Sequence, residues 1–478
     1  MAVAAARSTR IGRIHGICRV ATFCHMQTAH AALSERVVER PLVHDLAAHR
    51  TRPAPEPVDE FWRKVPGWEN VTVNEFISYR WSVKNLVEGP KKLRNFLERV
   101  LPKEVPALGN TEKMETREQL VQDVFDGVSD ATMSVRVMPY TLSRINWSNP
   151  RNDPIFRQFI PTRTIMQPDH PGLVLDSLEE KADSPVDGLV HRYPDKALFL
   201  PLSVCPTYCI FCTRSYAVGA NTESVEKASL KPGRARWEEV FAYIERTPEI
   251  QDIMIGDRLI SIPHIRRFRF ASKGLAVCPT RILDPNDVWT DTIISVSDKS
   301  RRAGKAMALH THFNHPNEIS WITERASRRL FEAGVMVRNQ SVLLRGINDD
   351  VATMSALIRK LADNNIFPYY VYQHDMVRKS EHLRTPLQTI LDLEAGIRGT
   401  IAGFMTPQFV VDLPGGGGKR LASTYRSYDR KTGISTFAAP AVTGRDKENK
   451  VYEYHDPIDS LAGRRDSGVR EVELQSLD

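Results

Sequence analysis

The chain has 478 residues, 41% of them hydrophobic and 26% charged, the balance of a globular protein rather than a low-complexity one. No stretch approaches the roughly 20 consecutive apolar residues of a membrane-spanning helix, so a membrane partner is not expected. The formal charge of +7 is concentrated at one end: Arg7, Arg10, Arg13 and Arg19 lie among the first 34 residues, which carry no acid, and without them 61 basic side chains face 58 acidic ones. A nucleic-acid partner, which needs a basic face, is not expected either.

Residues 1–40 alternate Arg with Ala, Val, Ile, Ser and Thr. This is the composition of a mitochondrial transit peptide, the alternative being a disordered basic tail without an address. The mitochondrial matrix is thus the expected location and the cytoplasm the alternative. Residues 41–60 are rich in Pro and polar residues and read as a linker. The aromatic and helical patterns of 61–190 predict a helical N-terminal region, broken by the Pro- and Asp-rich stretch 149–188.

From 191 to 400 short apolar runs alternate with helical stretches: ALFLPLSV (197–204), QDIMI (251–255), RRFRFAS (266–272), KAMALHTHF (305–313), VMVRNQSVLL (335–344) and FPYYVYQHD (367–375). Runs of this kind are buried parallel strands, and six of them with intervening helices predict an α/β fold, a full or partial barrel. Barrel enzymes place their chemistry at the C-terminal ends of the strands, where the unusual residue groups of this chain fall. Residues 401–455 add one further strand, four glycines and a lysine, and 456–478 read as a disordered tail.

The stretch CPTYCIFCTR (205–214) holds three of the six cysteines; Cys18 and Cys24 fall in the N-terminal segment, and Cys278 stands alone. A structural zinc site wants four ligands, commonly in pairs, and no second pair exists. A redox pair of Cys209 and Cys212 would leave Cys205 surplus. Cys205, Cys209 and Cys212 suit best a 4Fe–4S cluster with one iron left open for a small molecule. The spacing is similar to that of the radical S-adenosylmethionine (SAM) superfamily, in which SAM binds the open iron and is cleaved to a radical.

The second motif is PGGGGKR (414–420). A P-loop would need Gly at 413 and Ser or Thr at 420, where Leu413 and Arg420 stand. The glycines let the backbone turn or approach a ligand closely, and Lys419 held there could carry pyridoxal phosphate (PLP), the bland alternative being a flexible basic loop.

The cysteine triad followed by VVDLPGGGGK resembles the lysine 2,3-aminomutase family. MPYTLSRI, DSPVDGLVHRYPDKALFL, HTHFNHPNEI, NQSVLLRGIND and EHLRTP extend the likeness over roughly residues 61–455. The resemblance implies a partial (β/α)6-type radical SAM barrel with a helical N-terminal region and a C-terminal extension. Its cofactors would be a 4Fe–4S cluster on Cys205, Cys209 and Cys212, SAM, and PLP as a Schiff base on Lys419. Asp375 and Asp412 would hold the distal amino group of lysine and Arg214 its carboxylate. Arg192 and Tyr193 would support PLP, and His312 and Gln340 would face SAM. The implied reaction moves the 2-amino group of L-lysine to C3 by radical chemistry on PLP. The alternatives are another amino acid such as glutamate, or a catalytically impaired homologue. The implied partners are a small amino acid and an electron donor to the cluster, and a homo-oligomer is compatible with the resemblance.

Two departures stand out. The family's glycine-rich, acid-containing loop after the second strand is missing: QDIMI runs into GDRLISIPHIRRFRF, and only residues 256–265 remain for a crossover that usually needs about 10–12 residues or more. Part of QDIMI is therefore expected to be exposed and SAM binding to be weak. No cysteine follows Cys278, so the C-terminal zinc site of some relatives is not expected.

Overall fold

In a computed structural model, residues 59–228, 233–254, 257–442, 447 and 450–461 are described. The expected transit segment, most of the linker and the tail from 462 lie outside them. One compact unit begins at Glu60. No helix among the described residues is long and apolar enough to cross a membrane.

The region before the barrel is mixed rather than purely helical. Thr72 and Thr116 each close a capping box, starting the short helix Val73–Ile77 and the longer Arg117–Asp130 (α2), which follows Gly89–Val100 (α1). Two antiparallel pairs interrupt them: β1 (Val87–Glu88) with β4 (Arg136–Val137), and β2 (Glu104–Ala107) with β3 (Asn110–Thr116). Trp62 stacks on Phe76 at 4.4 Å, and Phe61 meets the edge of buried Tyr140. The Tyr140 hydroxyl donates to Glu318 O at 2.9 Å, tying this region to the barrel.

The barrel is one nine-stranded sheet. β5 (Leu189–Tyr193) runs antiparallel to β6 (Lys196–Phe199). Then β6, β7 (Asp252–Met254), β8 (Arg267–Ala271), β9 (Ala306–Thr311), β10 (Met336–Val342), β11 (Ile366–Tyr372) and β12 (Gln408–Leu413) pair in parallel, in chain order. β13 (Gly418–Leu421) folds back antiparallel on β12. Each of the six apolar runs contains a strand, and VVDL supplies a seventh parallel one. Register aligns Ile253, Phe268 and Met307, and likewise Leu309, Val337 and Ile366, into buried rows on the outer face. α3 (Arg234–Glu245), α4 (Val288–Arg302), α5 (Trp321–Glu332), α6 (Val351–Asp363) and α7 (Leu387–Ile397) form the crossovers.

Among the described residues, the β7–β8 crossover has only a four-residue 3-10 turn, Asp257–Ile260. The expected exposure does not follow at Ile253, which is fully buried. Leu259, Ile262 and Ile265 are buried as well, and Lys305 clamps the turn, its ammonium donating to Leu259 O at 3.3 Å and Ile262 O at 2.5 Å. The loop thus buries three apolar side chains of its own where the other crossovers carry a helix.

β14 (Ser427–Asp429), β15 (Ile434–Ala438) and β16 (Val451–His455) form a small antiparallel sheet beyond the barrel. Residues 456–461, expected to belong to a disordered tail, are instead packed. Asp456 accepts from Leu387 N–H at 2.8 Å, and the Ile458 N–H donates to Glu381 at 2.9 Å. Glu381 also holds Arg384 at 2.6 Å, both fully buried, and Arg384 donates to His455 O.

Candidate active site

The cysteines lie in the irregular segment between β6 and α3, pinned to the N-terminal region by Tyr208 N–H to Arg136 O at 2.9 Å and Ile210 N–H to Gln158 O at 3.1 Å. Cys205 and Cys212 pack against Met133, Tyr208 and Val218; Cys209 packs against Ile210, Phe211 and Leu344. All three are free thiols. Burial, followed by repulsion from Cys212, pushes Cys205 up to about 12; burial takes Cys209 to the same value and raises Cys212. Among the described residues no three His, Cys, Asp or Glu side chains converge on one metal ion. In a 4Fe–4S cluster each of the three thiolates would bind its own iron rather than share one metal ion. Three soft thiolate donors within one eight-residue stretch are the donor set such a cluster takes, so these residues would hold it.

His312, just past the end of β9, donates from Nδ1 to Gln340 O and accepts from Asn314 Nδ2 through Nε2 at 3.2 Å. Its ring lies 5.9 Å from Phe211, between the second and third cysteines. Burial, then the nearby Lys273 ammonium, holds it neutral. His312 and Gln340 are thus gathered beside the cysteine loop.

Lys419 and Asp412 are direct cross-strand partners on β13 and β12, and Lys419 Nζ stands 2.6 Å from Asp412 Oδ2. Burial would depress the amine, but Asp412, then Tyr372 and Tyr193, hold it well above the usual lysine value. Tyr193 on β5 accepts the Lys419 N–H at 2.9 Å, so the lysine is gripped from both edges of the open sheet. The glycine run owes its composition to close packing: a Cβ on Gly417 would stand 2.7 Å from Leu413 and Tyr452, and Gly418 turns at φ +81° against the Tyr193 hydroxyl. Arg192 is bound to Asp183 at 2.7 Å and to Leu178 O, with Lys447 on the other Asp183 oxygen at 2.6 Å.

Asp375, just beyond β11, accepts from the Thr213 hydroxyl through Oδ2. Burial, then the like charge of Asp412, pushes its carboxyl up to about 7, against the opposing pull of Thr213, Lys419 and Arg214. Asp375 Oδ1 and Asp412 Oδ1 are both buried without a hydrogen-bond partner. Two orphaned carboxylate oxygens in one site are complementary to a cation. Arg214 is held by Glu180 at 2.7 Å, and its buried Nε has no partner, which leaves it able to meet a carboxylate.

Glu180, Thr213 and Asp183 were not legible as site residues. Glu180 takes both Arg214 and the Tyr216 hydroxyl (2.9 Å), yet it lies 34 residues before Arg214 in a string that reads as an ordinary acidic loop. Only their position next to recognised residues or strings could have drawn attention to them.

Lys419, with its paired acid and the enclosing tyrosines, fits PLP. The fit to SAM is incomplete, because the β7–β8 edge has a four-residue turn where the other crossovers carry helices of 11 to 15 residues.

No family model matches the chain. It is 34% identical over 375 residues to the L-lysine 2,3-aminomutase of Clostridium subterminale, covering 75% of this chain and 80% of that protein. It is 33% identical over 436 residues to the L-lysine 2,3-aminomutase of Bacillus subtilis (strain 168), covering 87% and 82%. A glutamate 2,3-aminomutase of Clostridioides difficile is 30% identical over 301 residues, covering 59% and 66%. Likeness at this level over most of both chains, on a barrel that carries the cysteine triad and Lys419, shows that the chain belongs to the lysine 2,3-aminomutase family.

Proposed function

We propose that this chain is an isomerase that moves the 2-amino group of L-lysine to C3, giving L-β-lysine. The observation that carries the reading is the pair of buried carboxylates, Asp375 and Asp412, each with one oxygen unpartnered. A distal ammonium satisfies both; a distal carboxylate, as in glutamate, would add a third negative charge to the same place.

Cys205, Cys209 and Cys212 would hold the 4Fe–4S cluster and Lys419 would hold PLP; together with SAM these groups supply hydrogen-atom abstraction and a conjugated carrier for the migrating nitrogen. The chain's own residues do the positioning. Asp375 and Asp412 fix the far end of the substrate, and Arg214, steadied by Glu180, fixes its carboxylate. The two anchors leave the α- and β-carbons between them, aligned before reaction. Tyr372, with its ring centroid 5.7 Å from Lys419 Nζ, lines one side of the amine.

The test is product analysis. Protein reconstituted under anaerobic reduction with iron, sulfide, PLP and SAM is given L-lysine or L-glutamate, and β-lysine is the expected product. β-Glutamate as the preferred product would defeat the substrate assignment. One observation favours a second reading, a homologue impaired in SAM binding: the one-turn β7–β8 crossover. In that case neither product forms, and 5′-deoxyadenosine does not accumulate although the cluster and PLP are loaded.

A further inference from the structure

The barrel interior holds a positive cluster that the proposed reaction does not use. His310 on β9 and Arg338 on β10 are register partners, and Ala271, opposite His310 on β8, places Arg269 on the same face two residues earlier. This face lies opposite the buried outer row of Leu309 and Val337, and continues along β10 to Gln340, next to Tyr370 of β11.

A β-bulge builds the wall. Pro368 pairs with Asn339 and Tyr370 with Gln340, so Tyr369 is the extra residue. As a result Tyr369 and Tyr370 lie side by side, their hydroxyls 3.0 Å apart and their rings at 3.8 Å. Tyr369 covers the cluster: its ring centroid lies 5.4 Å from both the Arg338 guanidinium and the His310 ring.

The charges are not balanced. Arg269 has Asp252 at 3.1 Å, an acid it shares with Arg267 at 3.7 Å. Arg338 makes no hydrogen bond or ion pair among the described residues, and its Nε is buried without a partner, as are Arg269 Nε and His310 Nδ1. His310 is only 3% exposed. Burial, then the two guanidiniums, holds its ring neutral, with its pKa at about 3. A partly buried guanidinium without a counter-ion is costly, and its planar fork is shaped for an oxyanion.

We propose that Arg338, Arg269 and His310 form an oxyanion subsite inside the barrel that takes a phosphate-class group. Arg338 presents the fork, Arg269 adds charge, and neutral His310 offers a nitrogen able to donate to a phosphate oxygen. The group comes either from a phosphate ester held on Lys419 or from free phosphate. The subsite rests on its own charges, whichever amino acid is the substrate.

The experiment titrates the full chain, without iron, with inorganic phosphate, PLP and pyridoxal at constant ionic strength. Wild type is compared with Arg338→Met, and with Arg338→Gln should the apolar side chain prevent folding. Arg338→Lys serves as the conservative variant. Wild type should bind phosphate at least about tenfold more tightly than Arg338→Met, with Arg338→Lys between them. If PLP displaces phosphate, and PLP but not pyridoxal loses affinity in Arg338→Met, the group is the ester. If phosphate still binds with PLP saturating, the group is the free anion. Equal affinities of wild type and the neutral variants for both phosphate and PLP would overturn the subsite. A loss of pyridoxal binding on Lys419→Ala with no Arg338 effect would leave the lysine reading standing and this one refuted.

Discussion

Asp412 is paired with Lys419, and in the proposed function it would also meet the distal ammonium of the substrate. It holds Lys419 Nζ at 2.6 Å and keeps the amine protonated. Only the neutral amine attacks an aldehyde, so Asp412→Asn should speed PLP loading at pH 7 by at least about tenfold, one pKa unit of relief. Borohydride trapping on Lys419 measures the rate. The same variant, and Asp375→Ala, should weaken lysine binding more than a hundredfold, since loss of one partner of a buried pair costs about 3–5 kcal/mol; unchanged lysine affinity in both points to another substrate. Asp375 adds a pH signature with two opposite signs. Its carboxyl, raised to about 7 by burial and Asp412, favours the folded state while protonated. That stability is present below about pH 4 and is lost as pH rises through about 7, whereas lysine affinity, which needs the carboxylate, rises over the same interval. Thermal melts and lysine titrations of wild type and Asp375→Asn between pH 5 and 8 should diverge in this way. At this scale the sequence exposed what is local. Three cysteines within eight residues and a lysine after four glycines are visible in a line, while Thr213 and Asp375 meet across 162 residues and Arg214 meets Glu180 across 34.

The elements were legible where hydrophobic periodicity spoke. Six apolar runs became parallel strands because each buries one face under helices, and VVDL joined them. The β7–β8 crossover was less legible, because a turn leaves no periodic signal to show that Leu259, Ile262 and Ile265 would seal the gap. The bulge at Tyr369 was hidden too, since two adjacent tyrosines fit an ordinary strand as well as a bulged one. The crossover still has a one-turn segment where the others carry helices. Inserting a glycine-rich loop with a helical turn after Ile255 should raise 5′-deoxyadenosine formation under identical reduction. Equal rates with and without the insertion would show that the present turn suffices. The Glu381–Arg384 pair anchors the C-terminal sheet. Glu381→Ala leaves a fully buried guanidinium without its acid and frees the Ile458 N–H, so it should cost about 3–5 kcal/mol in denaturant unfolding. Arg420 and Lys419 share the strand that this sheet supports, since Arg420 donates to Ala438 O at 2.6 Å. PLP retention should therefore fall with the stability.

Across the whole molecule, the sheet is a barrel with a seam. β5 and β13 are its two edges, no backbone ladder joins them among the described residues, and the Tyr193 hydroxyl spans between them to Lys419 N–H. Tyr193→Phe should leave the seven parallel strands intact but loosen this join, with faster hydrogen exchange at Lys419 as the measure. The cysteines lie in the segment that follows β6, apart from the Lys419 strand in the chain, and Cys209→Ala should abolish the brown colour of the reconstituted cluster without disturbing PLP on Lys419.

The seam also sets an order of assembly. Ribosomal synthesis delivers Tyr193 and the cysteines first, and Lys419 more than two hundred residues later, on the last strand to join the sheet. The β14–β16 sheet that braces this strand ends later still, at His455. A nascent or truncated chain can thus present all three thiols and six parallel strands and still have no seat for an aldehyde. With PLP on Lys419 as proposed, its capture would report that translation has passed the end of the barrel, because the lysine comes so late in the chain.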